Sequence, residues 1–197
     1  FIERRMLVLS IPRDFWVAIP GMGAHGITDS KINAAYGYGE FFLGAGQGVV
    51  ESSNTIYQNY GITFDRYVVF HFSNFEQMID AVGGVDVVLD APIGAYGTAG
   101  TTHLNGTSAL EYARNRDADN DNFRVLRQSA IIKALFDKLR QPENLAKLPG
   151  LGIRFLADKT VLTDLSLGDV STFVCLAGEL SGASLVLKEI PADLYMP

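Results

Sequence analysis

Residues Asp65–Leu89 read DRYVVFHFSNFEQMIDAVGGVDVVL. The first part, Asp65 to Phe72, is rich in β-branched and aromatic residues and predicts a strand. Asn74 to Val82 then carries Phe75, Met78, Ile79 and Val82 at i, i+3, i+4 and i+7, which is the apolar stripe of a helix. Gly83-Gly84 stops that helix, because glycine accepts the left-handed backbone of a helix end. Val85 to Leu89 returns to strand composition. Strand, helix and strand in succession define an α/β chain.

The same alternation extends in both directions. Met6 to Ile11 (MLVLSI) is almost wholly apolar and predicts a strand buried on both faces, internal to a sheet. Pro12 ends it. Phe15 to Ile19 predicts a short strand, and Pro20 to Thr28 a glycine-rich loop. Asp29 or Ser30 can cap a helical turn reaching Tyr36. Val49, Val50, Ile56 and Tyr57 mark the buried side of a further helix. Ala91 to Thr102 reads as a small, flexible connection, with His103 beside it in a loop. Asn105 or Thr107 caps a short helix carrying Ala109, Leu110 and Tyr112. A second helix starts near Asn122 or Phe123 and reaches about Arg140. Pro142 to Pro149 reads as a helix-breaking linker, followed by an element at Ile153 to Ala157. A last helix is expected over Asp169 to Leu180 and a last strand over Ser184 to Ile190. The expected architecture is a three-layer α/β/α sandwich with a central mixed sheet, in one domain spanning residues 1–197.

The composition narrows the function. The chain is 48% hydrophobic and 19% charged, with net charge -6. Its acidity argues against nucleic-acid binding. The single cysteine, Cys175, excludes an intrachain disulfide, and its apolar surroundings from Phe173 to Ala177 predict a buried thiol. There is no apolar run of membrane-spanning length. Gly44, Gly46 and Gly48 lack the lysine and the preceding strand of a phosphate loop. His25, His71 and His103 have no metal-ligand spacing, so zinc is not expected. The chain opens at Phe1 and ends at Met196-Pro197, as a piece of a longer protein would.

Against this acidic background, Arg114, Arg116, Arg124 and Arg127 gather around the polar segment Asp117 to Asn122. Arg124, Arg127 and Gln128 are spaced i, i+3 and i+4 on one helix. Guanidinium groups stay charged and present a planar fork of donors, so several together can receive a phosphate or pyrophosphate. The plainer reading is that Asp117, Asp119 and Asp121 neutralise them at the surface, where ion pairs contribute about 0–1 kcal/mol.

Several ordered motifs resemble the LytR-CpsA-Psr family. They are Ser10-Ile11-Pro12-Arg13-Asp14, Lys31 to Tyr36 (KINAAY), Ile79 to Val87 (IDAVGGVDV), Leu104-Asn105-Gly106 with Ala109-Leu110, and Tyr112 to Arg116 (YARNR). The segment Arg124 to Gln128 completes the set, and the likeness extends from about Met6 to Leu139. The resemblance implies a cell-envelope transferase acting at the extracytoplasmic face of a bacterial membrane. Its partners would be a polyprenyl pyrophosphate-linked glycan, such as a teichoic acid or capsule precursor, and peptidoglycan, with a membrane anchor preceding the catalytic domain. By the resemblance, Arg13, Arg114, Arg116, Arg124 and Gln128 match residues around the lipid pyrophosphate, and Asp14 and Lys31 match other polar residues of the site. With Arg127 added from the cluster, Arg13, Asp14, Arg116 and Arg124 are expected in catalysis, and Lys31, Arg114, Arg127 and Gln128 in substrate binding. The resemblance also implies Mg²⁺, held by aspartates of upstream motifs that precede the SIPRD segment and are missing from this chain. Asp29-Ser30 does not replace them, because it follows that segment. The metal ligands therefore stay unassigned, with Asp86 and Asp90 the remaining candidates.

Such chemistry needs fixed positive charge where the departing phosphate becomes more negative, and an apolar tunnel for the lipid. Phe75, Met78, Ile79, Ile131, Leu135 and Phe136 are tunnel candidates or, as the alternative, ordinary core. The four guanidinium groups of Arg13, Arg114, Arg116 and Arg124 are expected in one cleft, with Gln128 beside Arg124. Two other functions fit the same residues: a hydrolase using water as acceptor, or a non-catalytic binder of anionic polyprenyl lipids.

Overall fold

The computed structural model describes residues 5–89, 100–114, 121–179 and 185–190. Its strands are β1 (Met6–Ser10), β2 (Trp16–Ala18), β3 (Asp29–Lys31), β4 (Val68–Val69), β5 (Val85–Leu89), β6 (Gly100–Leu104), β7 (Leu162–Thr163) and β8 (Leu185–Glu189). Its α-helices are α1 (Ala34–Tyr38), α2 (Gln47–Tyr60), α3 (Phe72–Ala81), α4 (Gly106–Arg114), α5 (Asp121–Leu139), α6 (Pro142–Leu145), α7 (Leu148–Ala157) and α8 (Leu167–Glu179). The α/β class is as expected. The described strands associate as four two-stranded sheets: β1 with β8, β2 with β3, β4 with β7, and β5 with β6. The described residues fall into two compact units. One lies within Phe1–Met6 and Val68–Val186, the other within Leu7–Tyr67 and Leu187–Pro197.

In the first unit, β5 alternates buried Val85, Val87 and Leu89 with exposed Asp86 and Val88. One face of the strand is therefore in the core and the other in water. β5 pairs antiparallel with β6, Val85 opposite Leu104 and Leu89 opposite Gly100. Ile79, Leu104, Ala109, Tyr112 and Ile131 close the core over it, with Phe75 and Leu135 packed against them. The expected loop up to Thr102 thus gives way to strand at its end, and His103 lies in β6, where its Nδ1 meets Asp86 Oδ1 at 2.8 Å. The strand expected over Asp65–Phe72 shrinks to two residues. Asn74 accounts for this: its Oδ1 accepts the His71 N–H at 2.8 Å and starts α3 at Phe72. The Pro142–Pro149 linker is instead two helix starts, since each proline sits in a first turn, where its missing N–H costs nothing. Cys175 is exposed on α8 and not buried as expected.

In the second unit, β2 and β3 pair antiparallel, with Trp16 opposite Lys31 and Ala18 opposite Asp29. Residues 29–31 are therefore strand and not the expected helical turn. Val17, Ile19, Met22 and Ala35 form the core. The Asn59 side chain of α2 donates to Ala18 O at 2.8 Å and accepts from Ala18 N at 3.2 Å, which clamps the helix to β2. The buried face of α2 is Gly48, Glu51 and Thr55, while Val50 and Tyr57 are exposed. Close backbone approach outweighs the apolar pattern here. A Cβ on Gly39 would lie 2.5 Å from Gln47 O, and one on Gly48 would lie 2.8 Å from Tyr36 O. β1 also departs from expectation: its described partner is β8, and Met6, Leu7 and Leu9 are exposed. It is not the doubly covered strand that its composition predicts.

Candidate functional site

The short loop after β1 carries Arg13 and Asp14, and the β2–β3 pairing brings Lys31 back to them. The ladder continues past the strands through Ile32 N to Phe15 O at 2.7 Å and Asn33 N to Arg13 O at 3.3 Å. Lys31 Nζ then donates to Asp14 Oδ1 at 2.8 Å, and Arg13 Nε donates to Asp14 Oδ2 at 3.2 Å. The Lys31 ammonium first, and the Arg13 guanidinium second, hold the Asp14 carboxyl below its ordinary range. Asp14 is thus a stable carboxylate that orients two cations. Arg13 and Lys31 each keep about half of their side-chain surface exposed, at 54% and 53%, leaving donors for a further anion.

The other grouping forms where three helices of the first unit meet. Gly106 opens α4 against α3: its N–H donates to Asp80 Oδ1 at 2.7 Å, and a Cβ there would lie 2.3 Å from Glu76 O. Asn105 caps α4 through Oδ1, which accepts from Ser108 N at 2.9 Å. α4 then runs back along α3, so that the Arg114 guanidinium lies over the Phe72 ring, 4.5 Å from its centroid. α5 docks at the same end of α4 through Gln128 Nε2, which donates to Ala113 O at 3.5 Å. Arg124 is one turn before Gln128 on α5, and Arg127 adjoins it. Both are half-buried and engaged in interactions. The structure thus brings Arg114 to the helix carrying Arg124, Arg127 and Gln128, at the carbonyl end of α4, where cations are favoured. Arg116 lies outside the described residues, as do Asp117 and Asp119.

Alongside, α3, α7 and α8, with Leu139 of α5, line a half-open cavity of about 480 Å³. α3 contributes Asn74, Gln77, Met78, Ala81 and Val82, a stripe one step around from its core face. Leu151 and Phe155 of α7, with Val170, Phe173 and Val174 of α8, supply the facing apolar wall. Of the six tunnel candidates, Met78 lines this cavity. Ile79 and Ile131 belong to the core, with Phe75 and Leu135 packed against it, and Phe136 is buried. The prolines concealed the start of α7 and with it Leu151, whereas α8 was expected as a helix and only its part in the cavity went unread.

Among the described residues, no three His, Cys, Asp or Glu side chains stand together as a metal site. Asp86 is paired with His103, Asp14 with Lys31 and Arg13, and Asp90 lies outside the described residues. The described residues do not fit a Mg²⁺ site. Among them, no helix is long and apolar enough to cross a membrane.

The chain matches the LytR_cpsA_psr family over residues 2–189. It is 36% identical over 160 residues to polyisoprenyl-teichoic acid–peptidoglycan teichoic acid transferase TagV of Bacillus subtilis, covering 74% of this chain and 38% of that protein. It is 34% identical over 156 residues to the regulatory protein MsrR of Staphylococcus aureus, covering 76% of this chain and 44% of that protein. The crystal structure of B. subtilis TagV superposes with TM-score 0.77 at 30% identity, covering 95% of this chain and 71% of that one. TagT bound to LIIa-WTA superposes with TM-score 0.71 at 25% identity, over 95% and 68% of the two chains. The chain belongs to the LytR-CpsA-Psr family. It spans less than half the length of the curated relatives it matches.

Proposed function

We propose that this chain forms part of a transferase that moves a glycan phosphate from a polyprenyl pyrophosphate carrier to a peptidoglycan hydroxyl, at the extracytoplasmic face of a bacterial membrane to which it is anchored. One observation carries the reading. An apolar cavity suited to a lipid tail lies in the same compact unit as Arg114, Arg124 and Gln128, which are suited to its pyrophosphate. The name of TagV and the ligand of TagT support the same chemistry.

In the reaction, the acceptor oxygen bonds to the glycan-side phosphorus, and the bond from that phosphorus to the bridging oxygen breaks. Polyprenyl phosphate leaves, and the hydroxyl proton passes to a base. The guanidinium groups of Arg114 and Arg124 stabilise the charge growing on the leaving phosphate, and Gln128 and Arg127 hold the substrate. The roles of Arg13, Arg116 and Lys31 rest on the family resemblance alone. Asp14 serves by orienting Arg13 and Lys31, since a carboxylate already held ionised by two cations is a weak base. The family's divalent cation requires carboxylates beyond those described, so no step is assigned to it.

The test is incubation with a polyprenyl pyrophosphate-linked glycan, with and without peptidoglycan. Glycan transfer that depends on peptidoglycan is the expected result. Phosphate release that needs no acceptor would establish a hydrolase instead, and tight binding without turnover would establish a binding module.

A further inference from the structure

Asn74 is buried at 5% exposure, and its whole amide is engaged. Its Oδ1 accepts the His71 N–H at 2.8 Å, while its Nδ2 donates to Asp158 Oδ2 at 3.0 Å and to Thr160 Oγ1 at 2.7 Å. Thr160 in turn donates to Asp158 Oδ1, from N at 2.9 Å and from Oγ1 at 2.7 Å. These contacts join the first turn of α3 to the turn that follows α7. Asn74 and Asp158 both line the apolar cavity, whose walls are those same two helices and α8. The clasp therefore fixes the spacing of two cavity walls; its link to the arginine grouping is the His71 N–H bond that starts α3 at Phe72, which an acceptor kept at position 74 leaves in place.

We propose that Asn74 is a positioning residue for the lipid tail: its clasp on Asp158 and Thr160 holds α3 and α7 at the separation that admits one apolar chain. This rests on the reading of the cavity as the tail site. A buried amide with all its hydrogen bonds made is costly to disturb, so the wall spacing is held by specific geometry and not by apolar packing alone. Tail affinity should then depend on Asn74, whereas recognition of the pyrophosphate should not.

Asn74→Asp retains an acceptor for the His71 N–H, but sets a carboxylate against Asp158. Asn74→Asp with Asp158→Asn restores the contact with its polarity reversed, since the amide introduced at position 158 can donate to the carboxylate at position 74 and the Thr160 hydroxyl can rotate. The probes are polyprenyl phosphate in detergent micelles and inorganic pyrophosphate. The single variant should bind polyprenyl phosphate about tenfold more weakly, the scale of a lost charge-assisted hydrogen bond. Pyrophosphate affinity should be unchanged, and the double variant should return most of the loss. Equal losses for both probes, an unaffected tail affinity, or no rescue would each overturn the proposal. If Asn74→Asp does not fold, Thr160→Val removes both hydrogen bonds of the Thr160 hydroxyl, of which the one from Asn74 Nδ2 crosses to α3. It should weaken tail binding about threefold, and a folded Thr160→Val with unchanged tail binding would also overturn it. A parent protein that binds polyprenyl phosphate no better than pyrophosphate would instead defeat the tail-site reading itself.

Discussion

Replacing Gly106 by alanine should loosen the helix packing that positions Arg114. The added Cβ would lie 2.3 Å from Glu76 O and 2.7 Å from Glu76 C and Cα. These are backbone atoms inside α3 and cannot rotate away, so α4 must retreat by about 1 Å to reach ordinary contact. That movement breaks the 2.7 Å bond from Gly106 N to the Asp80 carboxylate. Overpacking costs about 1–3 kcal/mol, and the hydrogen bond to a charged group about 1.5–3 kcal/mol. Alanine returns about 0.4–1 kcal/mol by restricting the unfolded chain, so the steric terms win. The net loss of about 2–5 kcal/mol should lower the melting temperature by roughly 5–15 °C for a chain of this size. Transfer should fall as well, because the retreat of α4 lifts Arg114 from Phe72. Gly150→Ala is the control: nothing lies within 4 Å of its Cβ position, so it should stabilise by about 0.4–1 kcal/mol. Thermal melts of both variants decide the matter. A Gly106→Ala protein melting with the parent would refute the account of α4 packing.

Arg124→Ala should reduce transfer about 10²-fold or more, by analogy with the loss of one preorganised donor, with little change in melting. Unchanged turnover would remove Arg124 from the site. Gly152→Ala should raise KM for the tailed substrate about fourfold, the value of one methylene's contact, with kcat held, because its Cβ would press on Val170 Cγ1 in the cavity wall at 2.4 Å. Steady-state kinetics with tailed and tailless substrates separate this from a general defect. Burial pushes the Glu51 carboxyl above its ordinary value of 4.5, with the Thr55 hydroxyl opposing in part. The folded protein then holds that proton more tightly than the unfolded chain, so this contribution to stability is present at low pH and is lost as pH rises through the folded value. Glu51→Gln should therefore melt higher than the parent near pH 8, with the advantage disappearing near pH 4; an equal effect at both would exclude Glu51 as its source.

Legibility in the sequence followed the range of the forces involved. α3 and β5 were readable because Phe75 and Ile79 on one, and Val85, Val87 and Leu89 on the other, recur at the period of the face they turn to the core. The capping role of Asn105 was readable because it acts on its own next turn. Steric contact between elements was not: the glycines at 39 and 48 turned α2 onto its Glu51 face, against the pattern of Val50 and Tyr57. β6 was hidden because Gly100, Thr101 and Thr102 have little apolar signal and owe their strand to pairing with β5. In the site, motif resemblance marked Arg13, Asp14 and Lys31, and antiparallel pairing explains how they meet. The Asn74 contacts join residues more than eighty positions apart, and no local pattern announces such a bond.

The glycine segment before α2 carries a built-in competitor. Glu40 reaches over the start of that helix, where its carboxylate oxygens accept from Gly46 N at 3.1 Å and Gly48 N at 2.9 Å. Gly44 and Gly46 adopt positive φ, at 110° and 84°, which lets the chain wrap the carboxylate. A helix start of this kind would otherwise attract phosphate. A free phosphate must displace a group tethered six residues away, whose local concentration is on the order of millimolar or higher. The segment is thus self-quenched as an anion receptor: its own carboxylate occupies the donors that a free phosphate would need.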